Sequence, residues 1–153
     1  MRNDLDAKIK REFLLEFEEL LEDVEQSLFT FELNPDEQGI INELFRLIHT
    51  LKGSCAMAGF NDLAEAIHLF ETLLDKLRKG ELAPSSHVID VSLKFTDLLH
   101  DSLWTLKDNI DAQTDTRAPK MWLEKLIGEQ ADAEFKTSAS RANNFFEMFE
   151  GNS

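Results

Sequence analysis

Apolar residues recur every three or four positions between residues 5 and 110, which is the period of an amphipathic helix. The pattern predicts four such helices. The first runs from about Asp4 to Phe31 and ends at Asn34-Pro35, because a proline disfavours helical geometry in the residue before it. The residues of this helix predicted to face inward are Leu5, Ile9, Phe13, Phe17, Leu20, Val24, Leu28 and Phe31.

Glycine, proline and capping residues separate the other helices. The second helix starts from Pro35 and ends at Gly59, and Asn61 is predicted to cap the third. The signal Pro84-Ser85-Ser86 opens the fourth. Their predicted inward residues are, in order, Ile40, Leu44, Leu47, Leu51 and Ala58; Leu63, Ala66, Phe70, Leu73 and Leu77; and Val88, Val91, Phe95, Leu98, Leu99, Leu106 and Ile110.

Four amphipathic helices with short connections predict an all-α fold, an antiparallel four-helix bundle. An additional short helix around Met121–Ile127 is expected to pack on the bundle as a lid. We therefore predict a helical domain over residues 1–128 and a polar tail over residues 129–153. The tail contains Phe145–Glu150, which is either an acidic aromatic docking peptide or a short closing helix; the sequence leaves both open.

Composition and charge narrow the class of partner. The 153 residues, 42% of them apolar, suffice for one core, and 30 acidic against 16 basic residues give a net charge of −14. This charge argues against nucleic acid and anionic membranes as partners. No apolar run approaches the roughly 18 residues of a membrane span, and no signal peptide is evident at the N-terminus. We expect a cytoplasmic protein without membrane insertion, monomeric as an isolated domain, whose single cysteine, Cys55, is an inert core residue.

The run His49-Thr50-Leu51-Lys52-Gly53-Ser54 carries the candidate chemistry. On a helical wheel, Lys52, Gly53 and Ala56 lie within about 60° of His49, opposite the apolar stripe. The histidine is therefore predicted to face solvent with a cation and two small residues beside it.

The turn at Gly59 is expected to bring a second polar stripe next to the first. His49 precedes Gly59 by ten residues and His68 follows it by nine, so both lie about 15 Å from the turn. Glu71 lies one helical turn beyond His68 on the same predicted outer face. Periodicity and turn chemistry together thus predict one surface patch that contains His49, Lys52 and Gly53 from the second helix and His68 and Glu71 from the third.

The segment Phe45–Ser54, followed by Gly59-Phe60 and by Leu77–Leu82, resembles the histidine phosphotransfer domain. It is most similar to the N-terminal phosphotransfer domain of chemotaxis-type histidine kinases, over about residues 10–110. The resemblance implies a module of two-component signalling. In it, His49 is phosphorylated by a separate histidine kinase catalytic domain and passes the phosphoryl group to an aspartate of a response-regulator receiver domain.

Each residue of the patch has a chemical task in such a reaction. Glu71, alone or with His68, can hold the proton on one ring nitrogen of His49 and leave the other as nucleophile. Lys52 can neutralise phosphoryl charge, and Gly53 lets a partner approach the helix backbone. The docking residues expected around the histidine are Phe45, Arg46, Gly53, Ala56 and Glu65.

The chain has no glycine-rich phosphate loop and no nucleotide-binding fingerprint, so we expect it to bind no cofactor and to use no ATP by itself. ATP and magnesium would then belong to the kinase and receiver partners. The sequence is compatible both with a free-standing phosphotransfer protein and with the phosphoacceptor fragment of a larger histidine kinase.

Two other classes of function compete with this interpretation. The first is a helical metal protein with His49, His68 and Glu71 as ligands, although metal sites in bundles draw their ligands inward from several helices. The second is a helical adaptor without phosphotransfer. Loss of tight metal binding in His49→Ala would favour the first, and signalling that survives His49→Gln would favour the second.

Overall fold

A computed structural model describes residues 2–128 and shows a helical bundle there. Its four long helices are α1 (Arg2–Leu33), α2 (Gln38–Met57), α3 (Asn61–Arg78) and α4 (Ser86–Asp108). A fifth helix, α5, covers residues 117–128. The predicted fold class is therefore confirmed, and the tail predicted at residues 129–153, with Phe145–Glu150, lies outside the described residues.

The inner faces of the helices build one core. α1 packs against α2 and α4, α2 packs most closely against α3, and the Phe70 and Phe95 rings, with centroids 4.8 Å apart, connect α3 to α4. α5 joins the core through Leu123 and Leu126, which are fully buried or nearly so. The inward residues predicted for α3 are all buried, as are most of those predicted for α2 and α4.

Two left-handed glycines close the ends of α2 and α3. Gly59 has φ +90°, and its N–H and that of Phe60 donate to carbonyls in the last turn of α2, the pattern of a Schellman motif. Gly80, with φ +74°, ends α3 in the same way. The turn at Gly59 folds α2 and α3 into the antiparallel hairpin that the sequence predicts, and the turn at Gly80 leads from α3 towards α4.

Two local predictions about helix ends are wrong in detail. α2 begins at Gln38, so Pro35 ends α1 without entering the first turn of α2. Asn61 is the first residue of α3 and not its cap, because Phe60 takes the cap position and offers no side-chain hydrogen bond. At α4 the prediction succeeds, since the Ser85 hydroxyl accepts from the Val88 N–H.

The first turns of α1 differ from the predicted apolar stripe, because Leu5 and Ile9 are exposed. The physical reason is that α1 is longer than the α2–α3 hairpin against which it packs. Lys10 already lies over the Phe60 ring at the α2–α3 turn, so the residues before it extend past the end of the hairpin and have no helix to pack against.

Cys55 is fully buried in α2. Burial, and secondarily the negative charge of Glu16, raise the pKa of its thiol far above the ordinary value. A thiol held neutral in a core is unreactive, which agrees with the predicted inert role.

Candidate functional site

Glu71 is the centre of the polar patch between α2 and α3. Its Oε2 lies 2.7 Å from Nδ1 of His49, and its Oε1 accepts a hydrogen bond of 2.7 Å from Nζ of Lys52. Nδ1 of His68, one turn away on α3, lies 3.6 Å from Oε1, which is beyond hydrogen-bond distance. The structure therefore brings the four residues together, with Glu71 bonded to His49 and Lys52.

The burial of these side chains differs sharply. Only 11% of the Glu71 side chain is exposed, against 63% for His49 and 61% for His68. The outward orientation predicted for Glu71 is thus wrong. α2 packs closely on α3, and the side chain of Lys52 in α2 covers the carboxylate of Glu71. The result is an exposed imidazole on a buried, fixed acceptor.

The charge of Glu71 is stabilised by its donors. Burial raises the pKa of the Glu71 carboxyl, but the hydrogen bonds and charges of Lys52 and His49 outweigh burial and hold that pKa below its ordinary value. Glu71 is therefore ionised at neutral pH.

An ionised carboxylate can only accept hydrogen bonds, so the contact with Glu71 requires the proton of a neutral His49 ring on Nδ1. Nε2 is then unprotonated and carries a free lone pair. Because the ring is largely exposed, this lone pair is accessible to an electrophile on another protein. The arrangement is that of a nucleophile prepared by a buried carboxylate.

A metal ion fits this patch poorly, since the Lys52 ammonium already occupies one oxygen of Glu71 and would repel a cation. Among residues 2–128, no group of three or more His, Cys, Asp and Glu side chains is arranged to hold a metal. No helix in this part of the chain is both long and apolar enough to span a membrane.

The sequence model of the Hpt domain matches residues 8–113. The chain belongs to the Hpt domain family. It is thus a histidine phosphotransfer module of the kind used in two-component signalling, and its fold and its histidine patch agree with that assignment.

The curated relatives that the chain matches include a sensor histidine kinase and several chemotaxis proteins. The chain is 36% identical over 101 residues to the sensor histidine kinase CheAY of Helicobacter pylori, which covers 66% of this chain and 13% of that protein. It is 40% identical over 93 residues to the chemotaxis protein CheA of Klebsiella aerogenes, and this match covers 60% of this chain and 14% of that protein. For CheA of Bacillus subtilis the identity is 32% over 103 residues, covering 67% and 15%. The Hpt domain thus spans only a small fraction of each relative.

Solved structures give the same fold. A solution structure of the histidine phosphotransfer domain of CheA matches with a TM-score of 0.66 and 28% identity, covering 74% of this chain and 87% of that one. A computationally redesigned four-helix bundle matches with a TM-score of 0.61 and 28% identity, covering 65% and 97%.

The residues predicted to dock a partner have different surroundings in this Hpt domain. Phe45 is half-buried, its ring stacks at 6.2 Å on His49, and the Arg78 guanidinium carbon lies 4.2 Å from its centre. Arg46 is exposed and makes no ion pair within residues 2–128, and Ala56 is exposed as well. Phe45 therefore supports the histidine from inside the domain, whereas Arg46 and Ala56 are accessible.

Glu65, another predicted docking residue, has a partner that the sequence did not reveal. Lys120 of α5 donates to Oε2 of Glu65 at 2.8 Å. This hydrogen bond, with the positive charge of Lys120, lowers the pKa of Glu65. The two residues are far apart in the chain, and no helical period connects them, so only the placement of α5 on the bundle could have identified the pair.

Gly53 is exposed in the middle of α2, and a Cβ added there meets no atom within 4 Å. We expect Gly53→Ala to raise the free energy of unfolding by about 1 kcal/mol, because alanine favours a helix over glycine by that amount. The same methyl group narrows the approach to His49, so phosphoryl transfer to a receiver should slow by about fivefold. Denaturant unfolding and transfer kinetics measure the two effects.

Gly39 provides the matched control for this prediction, because it lies in the first turn of α2, where an added Cβ also meets no atom within 4 Å. Gly39→Ala should stabilise the domain and leave transfer unchanged. Equal transfer rates for Gly53→Ala and wild type would show that no partner approaches the backbone at Gly53.

Proposed function

We propose that His49 accepts a phosphoryl group from an ATP-using histidine kinase domain and passes it to the aspartate of a response-regulator receiver domain. The observation that carries the proposal is the 2.7 Å contact between Nδ1 of His49 and buried Glu71, which leaves Nε2 as an exposed nucleophile. Family membership supports it independently, since the chain shares this fold with the phosphotransfer domain of CheA.

The first step joins phosphorus to nitrogen. The Nε2 lone pair attacks the γ-phosphorus of ATP, the N–P bond forms, and the bond from phosphorus to the bridging oxygen breaks with its electron pair leaving on ADP. The ring keeps its Nδ1 proton and gains positive charge, which the Glu71 carboxylate stabilises. Lys52, bonded to the other oxygen of Glu71, adds positive charge near the incoming phosphoryl oxygens.

In the second step, the N–P bond that formed in the first step is broken. A carboxylate oxygen of the receiver aspartate attacks the same phosphorus, and the N–P bond breaks with its electron pair returning to Nε2. His49 regains its neutral ring with the proton still shared with Glu71, so the Hpt domain is ready for another cycle. ATP and the magnesium ions of both steps belong, in this proposal, to the kinase and receiver partners.

The need for these partners also indicates where in the cell the Hpt domain would act. A carrier that depends on ATP and on a receiver domain works where both are present, so we propose that the Hpt domain acts in the cytoplasm. His68 and the exposed residues Arg46, Gly53, Ala56 and Glu65 around the histidine would contact the partners.

The test is radiolabelled transfer with the Hpt domain as the phosphoacceptor. The CheA catalytic modules of Klebsiella aerogenes and Bacillus subtilis, supplied separately with labelled ATP, should transfer an acid-labile and base-stable label to the domain. Added response regulators of the same organisms should then remove it. A folded domain that takes no label from either kinase would contradict the proposal and favour a helical adaptor.

A further inference from the structure

A groove of about 720 Å³ opens beside the histidine patch, and α5 forms one of its three sides. Lys52, Gly53 and Ala56 line it from α2, Glu65 and His68 from α3, and Lys120 and Glu124 from α5. Since Lys52 and His68 both belong to the patch around Glu71, the groove and the reactive site are continuous. A protein that reaches His49 therefore also meets α5.

The position of α5 along the groove is fixed. Leu123 and Leu126 anchor it in the core, and the Lys120–Glu65 ion pair of 2.8 Å ties it to α3. Only 24% of the Lys120 side chain is exposed, whereas 69% of the Glu65 side chain is. Lys120 is thus a packed cation at the edge of the groove and not a freely moving surface lysine.

The charge of the groove differs from that of the whole domain. Two lysines and two glutamates line it, so it is close to neutral on a chain of net charge −14. A receiver that delivers an aspartate carboxylate to His49 brings negative charge to this surface. A neutral groove with Lys52 and Lys120 at its edges is where such a partner is least repelled.

α5 also lies outside the residues that the family model matches. The family model ends at residue 113, before α5 begins at residue 117. A surface feature that lies beside the reactive histidine, but beyond the residues that the family model matches, is well placed to distinguish one partner from another.

We propose that α5 is part of the receiver-docking surface and that the Glu65–Lys120 pair determines which receiver the Hpt domain serves: Lys120 holds Glu65 in place, and the exposed Glu65 carboxylate binds a basic side chain at the edge of that receiver. This inference rests on the proposed phosphotransfer function. It adds a specificity determinant that contacts the partner and takes no part in the bond changes at His49.

The test exchanges the two charges. His49 is loaded with phosphoramidate, a small phosphodonor that requires no kinase, and transfer to response regulators of Helicobacter pylori, Bacillus subtilis and Klebsiella aerogenes is followed. Each single reversal, Glu65→Lys or Lys120→Glu, breaks the ion pair. The double exchange restores the pair and hence the stability, but it moves the positive charge from α5 to α3.

We expect the double exchange to raise KM for the best receiver by about tenfold at low salt and to leave kcat unchanged. At high salt, where charges are screened, the KM values of the variant and of wild type should become equal. The matched control exchanges Glu18 and Lys107, which pair at 2.7 Å between α1 and α4 outside the groove. That variant should transfer like wild type. If the double exchange fails to fold, Lys120→Gln should raise KM by severalfold in its place.

Wild-type kinetics in the double exchange would overturn the docking proposal and make the pair a structural link only. That result differs from failure of the proposed function, in which the wild-type protein itself takes no phosphoryl group at His49 or passes it to no receiver. The second result would overturn both.

Discussion

Replacing His49 by glutamine is expected to abolish the acid-labile label on this Hpt domain, while the same replacement at His68 keeps most of it. The two imidazoles lie beside one carboxylate and are almost equally exposed, at 63% and 61%. Only His49 contacts Glu71 at hydrogen-bond distance, 2.7 Å against 3.6 Å, so only His49 has its proton fixed on Nδ1 and its Nε2 left free. Labelling by a kinase module, followed by acid and base treatment, measures the loss.

His68→Gln controls for any general effect of removing a surface histidine from the patch. Circular dichroism and denaturant midpoints should be the same in both variants, because neither side chain is part of the core. Label that persists in His49→Gln and disappears in His68→Gln would assign the chemistry to the other histidine.

The second large effect is expected at Glu71. Glu71→Gln should lower the rate of phosphorylation by about a hundredfold, because a neutral amide oxygen accepts the Nδ1 hydrogen bond more weakly than a carboxylate and does not stabilise the positive charge that the ring gains. The change also removes the anion that holds Lys52. Single-turnover kinetics at saturating kinase measure this rate, and binding of the kinase should change little.

Glu18→Gln is the matched control, since Glu18 also pairs with a lysine at 2.7 Å but bonds to no histidine within residues 2–128. Its phosphorylation rate should equal that of wild type. A Glu71→Gln variant with an unchanged rate would show that the carboxylate only supports the fold.

The same variant tests the pKa of Glu71. Because the folded-state pKa of Glu71 lies below the unfolded one, the ionised carboxylate stabilises the domain fully at pH values above the ordinary pKa of 4.5. This contribution should disappear as the pH falls through the lower, folded-state pKa. The difference in unfolding free energy between wild type and Glu71→Gln should therefore stay constant from pH 5 to 8 and shrink only at more acidic pH. A difference that grows in acid would contradict the direction of the shift.

The fold could be predicted from the sequence because its determinants are local. Helical periodicity fixes the inner face of each helix, and a glycine at the end of a helix leaves little choice of turn, as at Gly59 and Gly80. The prediction failed where the length of a helix, or its packing against other helices, determines which side chains are buried. Leu5 and Ile9 follow the period of α1 and are still exposed, because the bundle ends before they are reached.

The candidate site shows the same division. The wheel placed His49 and Lys52 on one face and the turn brought α3 beside them, but neither gives the depth of a side chain. Glu71 is buried because two packed helices enclose it, and a wheel describes one helix at a time. The contact between Lys120 and Glu65 depends on where α5 crosses the bundle, which no local pattern records.

All four residues of the patch come from one hairpin, between positions 49 and 71 of the chain. Contacts so close in sequence form early and at little entropic cost, and they need no long-range pairing to be specified. α1 and α4 then have only to cover the inner face of this hairpin. Natural selection can change their outer surfaces, and with them the regulation and the partners of the module, without altering the distance from Glu71 to His49.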